Sequence, residues 1–424
     1  MMTPLALLTL LAPVALAQPG HTEPEPRWWK GNLHTHSLWS DGDDFPEMIA
    51  LWYAENGYNF LALSDHNTLS QGQRWMPLAD IDKRSRASAF PKYLERFGDD
   101  WVQTRTENDT PQVRLKPFDE YRPFVEQPGS FLLIQAEEIT GAFERRPIHI
   151  NATNLAEVIP PQTGETAEAT IRAVLREVNA QAAKHGREVL THLNHPNFGW
   201  GVTAEDLAPV LEEQFFEVFN GHTGVNNNGD QTHASTERVW DIINTIRITR
   251  FDAPPIFGIA TDDSHSYHDQ SPVSIPGRGW VMVRAPRLTP ETIILAMKAG
   301  DFYASTGVTL DAVEFDADTI TVRIRPEPGE SYTTRFIGTL RDADLTATPL
   351  TDGAGLPLPV TSLYSPEIGQ VLAESTGLTT VYQCTGAELY VRAVIESSAP
   401  PERPTKESLL KRAWTQPIRP SPAE

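Results

Sequence analysis

The stretch KGNLHTHSLWSDG sets His34 and His36 two residues apart, with Asp41 five residues further on. On an extended strand, residues i and i+2 point to the same face, so both imidazoles can reach one point. A turn through Ser40, Asp41 and Gly42 can fold a carboxylate back towards them. Two imidazoles and a carboxylate form a borderline-to-hard donor set suited to Zn²⁺, Mn²⁺ or Fe²⁺. A lone His-x-His pair decides nothing, so the rest of the chain must supply the argument.

Further donors follow in order: Asp65 and His66 in SDHNT, Glu137 and Glu138 in AEEIT, His149 in PIHIN, His192 and His195 in THLNHP, and Asp263 and His265 in TDDSH. Each has an innocent reading. Asp65 can cap a helix, His149 can be a packed strand histidine, and His192 and His195 cannot easily both be ligands. Asp263 and His265 repeat the i, i+2 logic of the first pair. A single Zn²⁺ needs three or four protein ligands, so a set this large suits two or three ions.

The elements expected to position these residues alternate. Short apolar strands are predicted at 59–63, 131–135, 188–191, 215–219 and 255–260. Helices are predicted at 46–56, at 167–185 closed by Gly186, at 204–211 after a Thr203 cap, and at 290–299 closed by Gly300. His66, Glu138, His195, Asp263 and His265 are expected just beyond strand ends, with Asn220 and His222 in the same position as substrate-binding candidates. Polar residues at every strand end of a β-α series describe a barrel with its active site on that face.

Two segments break the rhythm. Residues 69–127 are longer than an ordinary βα connection and carry Lys83, Arg84, Arg86 and several aromatics, so they are either a substrate-choosing lid or a solvated elaboration. From residue 310 the pattern turns to short alternating strands separated by Pro and Gly, which suggests a small β-sandwich, with 419–424 as a frayed tail. At 424 residues the chain is too long for one ordinary core. Its net charge of −21 argues against nucleic acid and against an anionic membrane surface. Residues 1–17 read as an export signal with Ala15-Leu16-Ala17 as the cleavage pattern, followed by a Pro-rich tether over 18–27. The expectation is an exported protein, periplasmic or extracellular, with no stable membrane span once the signal is removed. Its one cysteine, Cys384, forms no internal disulfide.

HTHSLWSDG, SDHNT, AEEIT with HIN, NHPN and TDDSH together resemble, in order, the motifs of the polymerase and histidinol phosphatase (PHP) superfamily of metallohydrolases. The layout, with GDFYASTG leading into a β-rich tail, is similar to the exported carbaryl-hydrolase-like branch. The resemblance covers 28–309 and implies an α/β fold, a distorted (β/α)7 TIM-like barrel followed by the β-sandwich over 310–418. It implies His34, His36, Asp41, His66, Glu138, His149, His195, Asp263 and His265 as ligands of two or three divalent ions (Zn²⁺, Mn²⁺ or Fe²⁺), with Glu137 as runner-up to Glu138. At Asp41 some members of that superfamily carry His.

The chemistry expected of such ions is hydrolysis: they generate a nucleophile from water and stabilise charge on the electrophile. Asp263 or Asp65 would move the proton. The substrate expected is a small molecule, foremost a phosphate mono- or diester, with Arg84, Arg86 or Arg278 adding a guanidinium. A carbamate, ester or amide is the alternative, using an apolar pocket from Trp75, Trp101 and Trp200. A non-catalytic exported metal-binding or adhesion protein is the third reading, which a missing ligand would favour.

Overall fold

A computed structural model describes residues 24–268, 273–316 and 318–422. The expected export signal and the tether up to residue 23 lie outside the described residues. No helix among the described residues is long and apolar enough to cross a membrane.

One mixed sheet of 13 strands organises the chain. Its first seven strands, in spatial order, are Phe257–Thr261, Phe215–Asn220, Leu190–Leu193, Arg146–Thr153, Leu132–Phe143, Phe60–Leu63 and Arg27–Asn32. Pairing is parallel except around Arg146–Thr153, which runs antiparallel to both neighbours. The sheet curls: Thr35 and Ser264, beyond the C-terminal ends of the first and last of these strands, form a parallel bridge, and His36 N donates to Ser264 O at 2.9 Å. Strand ends distant in the sheet order are thereby drawn to one place.

Helices pack around the outside. Pro46–Glu55 begins with Pro, whose missing N–H costs nothing there, and stops before Gly57 at φ +75°. Ala167–His185 is capped by the Thr166 side chain and ends in the left-handed Gly186. The helix expected over 204–211 is only Ala204–Leu207, because Pro209 cannot continue it. Thr236–Phe251 buries Asp241, Asn244, Thr245 and Arg247 as well as its apolar residues, so its periodicity is masked in sequence. Arg247 donates there to the carbonyls of Val210 and Glu213.

The 69–127 segment folds into its own small unit. A three-stranded antiparallel sheet (Arg74–Pro77, Thr110–Leu115, Thr104–Glu107) packs with helices Leu78–Ser85 and Ala89–Phe97. Its core residues Met76, Ile81, Tyr93, Val113 and Leu115 join Leu38, Trp39 and Phe45, the residues just after His36. The unit therefore walls in the loop that carries Asp41.

The C-terminal strands extend the main sheet. Trp280–Ala285 pairs with Arg27–Asn32, Phe302–Ser305 comes next, and Arg412–Thr415 pairs with Phe302–Ser305. Glu388–Ser397, Tyr332–Leu340 and Gln370–Thr376 follow. Leu310–Asp316, Thr319–Ile324 and Thr379–Gln383 form a second sheet that shares a core with the first through Leu310, Ile320, Val322, Phe336 and Val391. The boundary drawn at 309/310 is thus bridged by backbone pairing. The tail expected to fray is tied down at its start: Ile418 exchanges two 2.9 Å hydrogen bonds with Val391, and Arg419 meets Asp252 at 2.6 Å.

Candidate metal centre

Glu138 occupies the middle of the site. It was expected just past a strand, but the strand Leu132–Phe143 continues through it into a hairpin with Arg146–Thr153. Alternation along that strand sends Glu138 inward and Glu137 to the other face, where its Oε2 accepts the Ile159 N–H at 2.9 Å. Glu138 Oε2 lies 3.3 Å from His34 Nε2, 3.2 Å from His36 Nε2 and 2.9 Å from His66 Nδ1. Its Oε1 faces His149 Nδ1 at 2.9 Å and His195 Nε2 at 3.4 Å, and accepts from Asn194 Nδ2 at 2.8 Å.

Asp263 approaches the same two histidines from the opposite end of the curled sheet. Its Oδ1 is 3.2 Å from both His34 Nε2 and His36 Nε2. The residue adopts left-handed backbone geometry, φ +48°, which aspartate tolerates better than most residues. Its neighbour Asp262 turns away to accept the N–H groups of Gly277, Arg278 and Gly279. Asp41 stands between His66 Nε2 (3.6 Å), His265 Nε2 (3.4 Å) and His36 Nδ1 (3.7 Å). Ser40 and Gly42 each donate a backbone hydrogen bond to Ser37 O, which makes the turn anticipated from sequence.

The nine donors assigned from the resemblance therefore meet in one cluster. Four overlapping sets of these donors are each compact enough for an ion: His36, Asp41, His66 and His265; His34, His36 and Glu138; Glu138, His149 and His195; and His34, His195 and Asp263; a fifth joins His34 to His192 and Glu217. A metal fits on a direct observation. His34 Nε2, His36 Nε2 and Glu138 Oε2 are buried, lie against one another, and have no hydrogen-bond partner. Buried polar atoms are almost always partnered, and three orphans converging on one point are what a cation would satisfy. Burial pushes the Glu138 carboxyl up, yet the imidazoles of His34, His66 and His149 hold it well below the usual range. Asp263 behaves likewise, with burial outweighed by His34, His36 and His265. Both carboxylates are thus kept ionised.

Glu217 was missed by sequence reasoning. It sits inside the apolar strand Phe215–Asn220, and a lone acid in FFEVF was the available signal. His34 Nδ1 and Thr261 Oγ1 both donate to its Oε1 at 2.7 Å, while His195 N and Asn220 Nδ2 donate to its Oε2 at 2.7 and 2.8 Å. One carboxylate so fixes the ring of His34, the backbone of His195 and the end of strand Phe257–Thr261. His192 is buried beside the site with its Nε2 3.6 Å from Glu217, and neither of its ring nitrogens has a hydrogen-bond partner.

Several expected roles are replaced by others. Asp65 accepts from Ser37 N, Ser37 Oγ and Ser40 Oγ at 2.8, 2.7 and 2.5 Å, so it holds the Asp41 loop and is not open to a substrate. Arg84 donates to the carbonyls of Ser40 and Gly42, bracing that loop from the inserted unit. Arg278 is buried and donates to Gly221 O and Val273 O. Arg86 ends the helix Leu78–Ser85 in a left-handed conformation. Asn220 bonds Glu217 and, at 3.2 Å, Asp263, which makes it a positioning residue. Trp101 donates to Glu47 and Tyr93, Trp75 packs under Arg105, and Trp200 stacks on His233.

The centre opens into a cavity of about 290 Å³ lined by all the proposed ligands except the fully buried His34 and His36, together with Phe198, His222, Ser266, Val273 and Ser274. Among the described residues, neither the inserted unit nor any Lys or Arg lines it.

No protein-family model matches the chain, and no curated protein sequence matches it. Among solved structures it is similar to a two-domain protein from Bacteroides vulgatus that contains a predicted PHP-like metal-dependent phosphoesterase: 14% identity, 96% of this chain and 100% of that chain covered, TM-score 0.41. It is also similar to PsfC from Pseudomonas syringae, with 10% identity, 64% and 87% coverage and a TM-score of 0.32.

Proposed function

We propose that this protein is an exported PHP-type metal-dependent hydrolase that cleaves small phosphate esters with two or three divalent ions at the curled end of its sheet. The observation that carries the reading is the convergence of the partnerless His34 Nε2, His36 Nε2 and Glu138 Oε2, with Asp263 Oδ1 at 3.2 Å from both imidazoles. Divalent ions bound there would lower the pKa of water towards neutrality and offset negative charge on the electrophile's oxygen.

The chain's own residues do the rest. Glu217 takes the His34 Nδ1–H, so the Nε2 lone pair faces the centre. Asn194 and His149 steady Glu138 Oε1. Asp65 and Arg84 clamp the loop that presents Asp41. With Asp65 committed to that loop, Asp263 is the carboxylate left to take a proton from water. A carboxyl ester or carbamate is a second reading, favoured by a mouth with Phe198 and Val273 but no Lys or Arg among its described residues.

Metal analysis after reconstitution with Mn²⁺ or Zn²⁺ tests the centre, and at least two ions per chain are expected. Assaying the same preparation against 4-nitrophenyl phosphate, bis(4-nitrophenyl) phosphate and 1-naphthyl N-methylcarbamate separates the two substrate classes. One ion or fewer, or no turnover of any ester, counts against the proposal.

A further inference from the structure

Phe198 is an exposed aromatic held in a fixed place. It is 36% exposed, yet its N–H donates to His195 O at 2.8 Å, and Asn197 beside it donates to the carbonyls of Asn226 and Ala234. The chain then turns through Gly199 at φ +54°, where a Cβ would come within 3.1 Å of Pro147. The Phe198 ring stands 5.1 Å from that of His195 and 6.1 Å from that of His149. A rigid apolar ring beside metal-ligating imidazoles leaves apolar surface in water until something covers it.

His222 faces the same cavity. The Gly224 N–H donates to its Nδ1 at 2.9 Å, which places the proton of the neutral ring on Nε2. A Cβ at 224 would lie 2.9 Å from His222 Nδ1 and Cε1, so any larger residue there would displace this ring. Asn220 Oδ1 accepts the His222 backbone N–H, tying this ring to the end of the Glu217 strand. The rings of Phe198 and His222 stand 6.4 Å apart at 83°.

We propose that Phe198 and His222 form the subsite for the leaving-group half of the ester, and that this half is flat and uncharged: an aryl ester, not a nucleotide or a polyphosphate. The inference rests on the hydrolytic reading above and adds the substrate's organic half to it. Phe198 stacks on the aryl ring. In hydrolysis the bond from phosphorus to the ester oxygen breaks, the oxygen of water joins phosphorus, and one proton of that water ends on the departing oxygen. His222 keeps its own proton and donates Nε2–H to the departing oxygen while charge gathers there. A cavity of about 290 Å³ whose described lining has no Lys or Arg suits one ring and disfavours several phosphates.

The test uses the full, metal-loaded chain and calorimetric binding of phenylphosphonate and methylphosphonate, neither of which can be hydrolysed. Phenylphosphonate should bind about tenfold more tightly, and Phe198→Ala should remove that preference while changing methylphosphonate affinity by no more than about twofold. Equal affinities in the unaltered protein, a preference surviving in Phe198→Ala, or no binding of either at millimolar concentration overturns the subsite. In kinetics, His222→Ala should cost ethyl phosphate about tenfold more in kcat than 4-nitrophenyl phosphate, whose leaving group needs little help, and His222→Gln should restore part of it. Equal losses overturn the role of His222. If the phenyl preference depends on Phe198 but no phosphate ester is hydrolysed, the aromatic subsite stands and the phosphoesterase reading falls.

Discussion

At the scale of single residues, Glu217 makes the sharpest prediction, because it touches none of the cavity yet holds what does. Glu217→Gln leaves an amide beside the His34 Nδ1–H or the His195 N–H, and one of those buried donors then faces another donor. Metal affinity should fall by about 10- to 100-fold, the cost usual for losing a partner behind a ligand. A metal-competition titration measures it, and unchanged affinity would mean that His34 is oriented by packing alone. Glu138 allows a complementary test. Adding Mn²⁺ to the metal-free protein should raise its Tm in a concentration-dependent way, since only the folded state gathers the donors. In Glu138→Gln that rise should largely vanish, because the replaced oxygen is the one shared by His34, His36 and His66.

At the scale of elements, the inserted unit is a buttress. Arg84 reaches the Ser40 and Gly42 carbonyls, and Phe45 stacks on Tyr93 at 3.8 Å. Glu47, in the first turn of Pro46–Glu55, lies in this interface and accepts from Tyr93 Oη and Trp101 Nε1. Burial pushes its carboxyl up from 4.5 to about 7, against the pull of those donors. An acid with a raised folded pKa binds its proton more tightly in the folded state. Its stabilising contribution is therefore complete below pH 4.5 and is lost as the pH rises through about 7. The shift corresponds to about 3 kcal/mol at most. Glu47→Gln should accordingly narrow the stability gap between pH 5 and pH 8, measured by urea unfolding of the chelator-treated protein. A gap of unaltered size would place the ionised carboxylate comfortably in this interface.

At the scale of the whole molecule, the C-terminal part is joined to the rest of the chain by more than its linker. Arg392, on Glu388–Ser397, makes a two-pronged ion pair with Asp241 of helix Thr236–Phe251 at 2.9 and 2.7 Å, and both are buried. Trp414 packs on Phe219, the residue before Asn220. Truncation at 310 would strip the partner strand from Phe302–Ser305 and uncover Trp240, Phe219 and Asp241. Such a truncated chain should be insoluble or lack a cooperative thermal transition, and a folded, metal-binding product would contradict this. Arg392→Met should cost roughly 3–5 kcal/mol, since it strands a buried aspartate, and Arg392→Met combined with Asp241→Leu should recover much of it. Double-mutant unfolding curves decide that.

Local sequence determined the recurring parts: His-x-His on an extended segment, the Ser40–Gly42 turn, the Thr166 and Gly186 helix ends, and donors gathered near strand ends. These depend on neighbours a few residues apart, where the strand and helix periods and turn chemistry act. Tertiary structure decided which member of each acidic doublet serves the centre. Adjacent strand residues face opposite ways, and the curl of the sheet selects the inner one, so Glu138 is taken over Glu137. In the turn after Phe257–Thr261 the backbone amides of 277–279 claim Asp262 and leave Asp263 to the histidines. It also recruited Glu217, three of whose four donors come from segments distant in the chain. The inserted unit and the tail were joined to the site's scaffold by pairing and burial across the chain, long-range events that no local pattern encodes.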